Sequence, residues 1–136
     1  MTGLDTNVLV RYLVRDDLAQ SRTATEFIEQ RLTTRNPGFI SAVVIAETAC
    51  VLEAVYGFRH SEIAAAIERI LQVTSFLVQH EPEVFLATTV VEQGGGSFAD
   101  AFIGAINRRV GCSRTVTFDR KASRLPDFEL LRFAAS

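Results

Sequence analysis

The sequence predicts an α/β protein with a parallel sheet covered by helices on both faces. Short β-rich segments alternate with helical segments along the chain, an alternation typical of parallel strands joined by helical crossovers. Turn and capping residues separate the segments, and there is no internal repeat or linker. Because 136 residues suit one hydrophobic core, we expect a single domain over residues 1–136.

The first half of the chain predicts two strands and four helices. Asp16 or Asp17 can cap a long helix, and Ser41 can cap another that Gly57 closes. In chain order we expect a strand and helix within residues 1–15, a helix from 16 or 17 to about 34, a strand at 39–40, and helices at 42–56 and 62–73.

The second half predicts three strands and two helices. Pro82 stands where a first-turn proline is tolerated, Gly94–Gly96 interrupts the helical pattern, and Gly111 follows the last helix. We expect strands at 75–79, 114–118 and 128–131, helices at 82–93 and 97–109, and a short turn or helix after Asp119.

Composition narrows the class of protein. Hydrophobic residues make up 48% and charged residues 22%, as in soluble globular proteins, and the net charge of -2 leaves only local patches for nucleic acid. The N-terminus lacks the pattern of a signal peptide, and the apolar run 42–52 is too short for a membrane span. We expect a cytoplasmic protein without membrane contact, with Cys50 buried as a small hydrophobe.

Four acids stand among apolar neighbours: Asp5, Glu47, Asp100 and Asp119. This setting predicts buried carboxylates, which normally protonate, pair or bind a metal. Asp5, Asp100 and Asp119 also have a simpler explanation, because each lies where an acid can cap a helix. Glu47 lies well inside a helix, so a terminus does not explain it. Its remaining simple explanation is a polar surface stripe shared with Thr48 and Glu53, which the position of Glu53 about 240° further round the helix weakens.

The predicted topology favours convergence of these acids. Strand ends and helix starts meet at one edge of a parallel sheet, and Asp5, Asp100 and Asp119 all fall at such positions. Acids about 5 Å apart would repel by about 3 kcal/mol per pair at an effective dielectric of about 20. Oxygen ligands would favour Mg²⁺ or Mn²⁺, and His60 and His80 are expected to be surface residues outside any zinc site.

Four segments carry a resemblance to a known family. Asp5-Thr6-Asn7, the run from Ser41 to Glu47, the run from Phe98 to Ile103, and Thr117-Phe118-Asp119 resemble, in order and spacing, the PIN-domain ribonucleases, specifically the VapC toxins of type II toxin–antitoxin pairs. Each segment is weak evidence alone, but the four together cover nearly the whole chain. Phe102 departs from the pattern, since relatives often carry a smaller aliphatic residue there.

The resemblance implies a PIN-like three-layer α/β/α sandwich with a central parallel sheet. It implies an endoribonuclease in which Asp5, Glu47, Asp100 and Asp119 bind Mg²⁺ or Mn²⁺ and act in hydrolysis of RNA phosphodiesters, leaving 5′-phosphate ends. It further implies supporting or substrate-orienting roles for four polar residues, Thr6, Asn7, Ser97 and Thr117. Expected partners are a VapB-type antitoxin and a second copy in a homodimer, with operator DNA contacted only through the antitoxin complex.

A basic segment follows the third acid. Six cations, Arg108, Arg109, Arg114, Arg120, Lys121 and Arg124, surround Asp119 in sequence and could hold RNA phosphates beside the cut. A simpler explanation of these cations, without RNA, is an arginine-rich composition together with the preference of helix C-termini for positive charge. Arg11 and Arg15 could serve an acidic partner instead.

Two other functions compete with the nuclease. A catalytically inactive PIN-like protein-binding module would use the acids only as caps. A metal-dependent phosphatase or phosphoacceptor domain is disfavoured, because the sole lysine, Lys121, lies beyond Asp119 and not at a later strand end. Apolar stripes on helices 17–34 and 61–73 could contact a partner or pack in the core.

Overall fold

The strands form two parallel ladders in the computed structural model, which describes residues 1–133. The first ladder has the order β1-β2-β3, and the second pairs β4 with β5. Their bounds are β1 Thr2–Gly3, β2 Gly38–Ile40, β3 Phe76–Val78, β4 Thr115–Thr117 and β5 Phe128–Leu130. Helices connect successive strands, which confirms the predicted α/β class with parallel strands.

Six α-helices cover these ladders. Two helices lie between β1 and β2, two between β2 and β3, and two between β3 and β4. Their bounds are α1 Thr6–Leu13, α2 Leu18–Glu26, α3 Ala42–Ala54, α4 His60–Leu71, α5 Glu81–Glu92 and α6 Phe98–Arg109. A π-helical turn, Phe27–Arg31, extends α2, and a 3-10 turn, Ala122–Arg124, precedes β5.

The core lies between the first ladder and the inner faces of α1, α3, α4, α5 and α6. Its most deeply buried side chains are mostly apolar, and each of these contributes about 1.5–3 kcal/mol by leaving water. They include Leu9, Ile40, Ile45, Leu52, Ile63, Ile67, Ile70, Val84 and Phe98. Because Ile63, Ile67 and Ile70 belong to α4, core packing uses the apolar stripe of that helix.

Most helix boundaries follow the predicted caps. The Ser41 hydroxyl accepts a hydrogen bond from the Val44 amide at 3.2 Å, and Gly57 has the left-handed φ of 66° that closes the segment. Helix α4 begins two residues before the predicted start. The reason is that the Glu62 carboxylate accepts a hydrogen bond from the Arg59 amide at 2.9 Å and so fixes the earlier turn.

The predicted long helix ends earlier than expected. The prediction of a continuous helix to about residue 34 was wrong, because helical structure stops at Arg31. Thr33 and Asn36 instead exchange backbone hydrogen bonds of 3.1 and 3.2 Å. The residue before a proline is disfavoured in a helix, so Pro37 favours this turn.

The prediction that Cys50 is buried was also wrong. Cys50 is exposed on α3, on the same side as Glu47 three residues earlier. Apolar side chains also lie on the solvent side of α3, with Val43 75% exposed, so local hydropathy does not identify the inward face. None of the helices described over residues 1–133 has the length and apolar character needed to cross a membrane.

Candidate functional site

Asp5 lies at the junction between β1 and α1. It is the N-cap of α1, and its carboxylate accepts a hydrogen bond from the Thr6 amide at 2.8 Å. This bond satisfies one of the free amides of the first turn. The cap fixes the backbone of Asp5 and leaves its carboxylate exposed to solvent.

Glu47 joins Asp5 in one pocket. Thr6, the buried first residue of α1, donates a short hydrogen bond from its hydroxyl to the Glu47 carboxylate on α3. Thr6 therefore contacts both acids, one through its backbone and one through its side chain. Together with Asn7 and Arg11, these residues line a pocket of about 300 Å³, here called the first acidic pocket.

Arg11 brings a fixed positive charge to the edge of the first acidic pocket. Its guanidinium donates hydrogen bonds to Asp16 at 2.8 Å, to Gln20 at 2.7 Å and to the Tyr56 hydroxyl at 3.0 Å. The hydrogen bond from Tyr56, with the nearby Arg11 charge, lowers the pKa of Asp16 below its ordinary value. Arg11 was considered above as a contact for an acidic partner molecule. In the structure it pairs instead with Asp16 of the same chain.

Asp100 and Asp119 line a second pocket of about 220 Å³, here called the second acidic pocket. The Asp100 amide, in the first turn of α6, donates to the Ser97 hydroxyl at 3.2 Å. The Asp119 carboxylate accepts from the amides of Lys121 at 2.8 Å and Ala122 at 3.1 Å. The Asp119 carboxylate therefore accepts from the amides of its turn, as the capping explanation predicts, whereas Ser97, and not Asp100, supplies the side-chain cap of α6.

Three of the four predicted supporting residues contact an acid. Thr6 donates to Glu47, the Ser97 hydroxyl accepts from the Asp100 amide, and the Thr117 hydroxyl accepts from the Asp119 amide at 3.0 Å. Asn7 is exposed and lines the first acidic pocket. The roles of these residues in orienting substrate stay predictions.

The four acids are more accessible than their sequence neighbours suggested. Asp5, Glu47 and Asp119 are exposed and Asp100 is partly buried, so the prediction of buried carboxylates was wrong. Leu4, Ile45 and Phe98, each close in sequence to one of the acids, are buried. Phe118, next to Asp119, is itself exposed. Because water solvates these carboxylates, burial does not require a metal ion to compensate their charge.

Helix α3 connects the two pockets. It packs against both α1 and α6, with Glu47 in the first acidic pocket and Glu53 in the second. These two glutamates are six residues apart, about 9 Å along the helix axis and about 240° around it. The structure thus brings Asp5 to Glu47 and Asp100 to Asp119, on different faces of α3.

Sequence reasoning did not assign Glu53 and His60 to the site. Glu53 lies 3.7 Å from His60, and both line the second acidic pocket with Lys121. His60 is exposed, as expected for a surface residue. No motif marks either position, because they join the pocket through the turn between α3 and α4.

The donor set of each pocket suits a hard divalent cation. Mg²⁺ is commonly held by one or two carboxylates together with substrate phosphates and water. Within residues 1–133, no group of three or more His, Cys, Asp or Glu side chains is arranged to hold an ion. Each pocket therefore offers two of the predicted carboxylates, and phosphate or water would have to supply the other oxygens.

Half of the predicted basic patch is already paired. Arg108 lies 2.7 Å from Asp127, Arg109 lies 2.9 Å from Glu83, and Arg114 lies 2.6 Å from Glu129. The remaining cations, Arg120, Lys121 and Arg124, form no ion pair with a described residue. These three are the more available charges for phosphate.

The fold and pockets define an α/β protein with two acidic pockets. Asp5 and Asp119 follow strands, whereas Glu47 lies within α3 and Asp100 in the first turn of α6. The family model described as PIN domain matches residues 4–127, and the chain belongs to this family. All four acids fall within the match. PIN domains are generally nucleases, and those nucleases generally use divalent metals. Comparison with curated proteins and with solved structures gave no match.

Proposed function

We propose that the protein is a Mg²⁺- or Mn²⁺-dependent endoribonuclease and the toxin of a type II toxin–antitoxin pair. Membership of the PIN family supports nuclease activity in general. The observation that carries the proposal is the Thr6 bridge, in which the Thr6 amide donates to the Asp5 carboxylate and the Thr6 hydroxyl donates to the Glu47 carboxylate. An exposed glutamate that served only solubility would not need a buried hydroxyl aimed at it.

In this proposal the chain's own residues orient the reacting groups. Thr6 holds the Glu47 carboxylate toward the pocket through its hydroxyl. The two amides that contact Asp119 fix its carboxylate in the same way. Oriented carboxylates would hold the metal, while Lys121, Arg120 and Arg124 would hold phosphates beside the scissile bond.

Asp5 and Glu47 would hold one divalent ion, and Asp100 and Asp119 are the candidates for a second. When bound, such an ion supplies activation of a water molecule and offsets negative charge on the phosphoryl oxygens. The same proposal includes a single domain over residues 1–136, a cytoplasmic location, and Mg²⁺ or Mn²⁺ as the metal.

The matched pair Asp5→Asn and Asp17→Asn tests the proposal. Asp17 caps α2 through a 3.0 Å bond to the Gln20 amide, and asparagine caps about as well as aspartate. Both variants should therefore keep the fold. With purified protein, labelled RNA and Mn²⁺, we expect Asp5→Asn to lower the cleavage rate at least about 100-fold, because several kcal/mol of transition-state stabilisation is lost. Asp17→Asn should cleave like wild type.

Metal binding has its own readout in thermal unfolding. Mn²⁺ at about 100 times its Kd should stabilise the wild-type protein by about 2.7 kcal/mol, and chelation by EDTA should reverse the effect. Asp5→Asn and Asp100→Asn should each weaken this response. Equal stabilisation of wild type and both variants, together with absent RNA cleavage, would refute the nuclease proposal.

A catalytically inactive binding module is the second candidate function. The observations favouring it are that Asp5 and Asp119 both act as helix caps and that the described residues contain no group of three metal ligands. The module would show neither Mn²⁺ stabilisation nor cleavage. Both candidates share the family fold, so only these measurements separate them.

The toxin assignment further proposes a VapB-type antitoxin, a homodimer, and operator DNA reached only through the antitoxin complex. Apolar side chains left in solvent support protein contacts, since large exposed apolar patches commonly mark interfaces. Phe85 and Leu86 of α5 are 58% and 51% exposed and line one groove with Leu71. Sedimentation of the purified chain tests the dimer, and co-expression with the product of a neighbouring small gene tests the antitoxin.

A further inference from the structure

A groove next to Asp119 combines aromatic and cationic side chains. It has a volume of about 640 Å³, within the range of about 300–1,000 Å³ for ligand pockets. Phe118, Arg120, Arg124, Arg132 and Phe133 line it, and no acid lies among its lining residues. We call this surface the arginine–phenylalanine groove. Its three arginines make it the opposite of the two acidic pockets in charge.

The aromatic pair in this groove is unusually exposed. Phe118 is 62% exposed and Phe133 is 89% exposed. Their rings stack on each other, with centroids 5.3 Å apart and planes at 18°. Core packing does not account for two phenylalanines so open to water, and a stacked pair leaves flat outer faces on which another ring can lie.

The charges of the groove are free for a ligand within the part of the chain that the structure describes. Arg120, Arg124 and Arg132 pair with no acid there, unlike Arg108, Arg109 and Arg114 nearby. Planar guanidinium groups suit phosphates, and an aromatic platform among cations is the usual combination for unpaired nucleotides. A protein partner would need acidic residues but would make less use of the stacked rings.

The groove is adjacent to the second acidic pocket. Phe118 and Arg120 flank Asp119 in the chain, and Lys121 lines the acidic pocket. We propose that the arginine–phenylalanine groove binds unpaired nucleotides of an RNA strand, with a base stacked on Phe118–Phe133 and phosphates on the arginines. This inference rests on the proposed nuclease function and adds a base-stacking subsite beside the second acidic pocket, which only unpaired bases can occupy because paired bases do not expose their faces.

Binding in EDTA tests the groove separately from cleavage. The probe is a fluorescent 12-nucleotide single-stranded RNA, compared with the same RNA annealed to its complement, and the readout is anisotropy. We expect Phe133→Ala to weaken single-strand binding about 5- to 150-fold. Phe85→Ala is the matched control, since Phe85 is also exposed but lies on α5 outside the groove. Thermal unfolding of both variants confirms that they fold.

The salt dependence supplies a second readout. Arg124→Gln should reduce the slope of log K against log salt for single-stranded RNA by about 0.7, and Arg22→Gln, an exposed arginine on α2, should leave it unchanged. Equal effects of Phe133→Ala and Phe85→Ala, or equal affinity for single-stranded and duplex RNA, would overturn the inference and leave a protein partner as the occupant. RNA binding that responds to Phe133→Ala without any cleavage would instead refute only the nuclease proposal.

Discussion

Arg109 is the partner of the most deeply buried carboxylate among the described residues. Glu83 of α5 has a side chain only 4% exposed, whereas the Arg109 side chain of α6 is 65% exposed. Glu83 Oε1 accepts a hydrogen bond from Arg109 Nη1 at 2.9 Å, and Glu83 Oε2 has no hydrogen-bond partner among residues 1–133. Arg109→Ala would therefore leave a buried charge without its countercharge.

The cost follows from the burial of the two groups. Breaking a fully buried ion pair costs about 3–5 kcal/mol. Because Arg109 is mostly solvated, water screens part of the interaction, and we expect a loss of about 2 kcal/mol in the free energy of unfolding. For a chain of this length, this corresponds to a fall in Tm of about 6–10 °C.

Equilibrium urea unfolding of a double-mutant cycle measures this interaction. Glu83→Gln removes the buried charge, so Arg109→Ala in that background should cost less than about 0.5 kcal/mol. Arg108→Ala is the control, because its partner Asp127 is about half exposed and such surface pairs contribute at most about 1 kcal/mol.

Two results would refute the reasoning. The first is that Arg109→Ala costs no more than Arg108→Ala, and the second is that its cost is the same with Glu83 and with Gln at that position. Either outcome would mean that Arg109 does not compensate the buried carboxylate and is available for phosphate.

Two further predictions concern packing and pH. Gly104→Ala should destabilise the protein by about 1–3 kcal/mol in urea, because the new Cβ would lie 2.5 Å from Cε1 of Phe128; unchanged or higher stability would show that α6 and β5 pack loosely. Glu68 has its pKa raised by hydrogen bonding to Glu92, by burial and by the Glu92 charge. The folded protein therefore holds this proton to higher pH than the unfolded chain, so the pair lowers stability as pH rises from the ordinary glutamate pKa through the raised value. Glu68→Gln should increase Tm at pH 7 but not at pH 4, and an equal increase at both would contradict this cause.

Local rules predicted much of the fold. Ser41 and Ser97 cap the helices assigned to them, and Gly57 and Gly111 have the left-handed φ values of 66° and 104°. These features depend on a few neighbouring residues, which is why the sequence was sufficient. The π-helical turn Phe27–Arg31, which ends the second helical segment, was not predicted, because it depends on how the following turn is closed.

The site was predicted less completely than the fold. The contacts of Thr6 with Asp5 and Glu47 agree with the resemblance, yet the exposure of these acids does not follow from their apolar sequence neighbours. The ion pair of Arg109 with Glu83 joins residues 26 positions apart. Such long-range partners are decided by packing, which a linear pattern does not encode.

The two separate ladders have a consequence for motion. No strand of the β1-β2-β3 ladder is hydrogen-bonded to β4 or β5 within residues 1–133, and β5 meets α6 where Phe128 packs on Gly104. Asp119 thus belongs to a peripheral lobe, while Asp100 belongs to the helix on which that lobe rests. Amide protons of this lobe should exchange sooner than those of β2. The second acidic pocket, between Asp100 and Asp119, can therefore open locally while the β1-β2-β3 ladder stays intact.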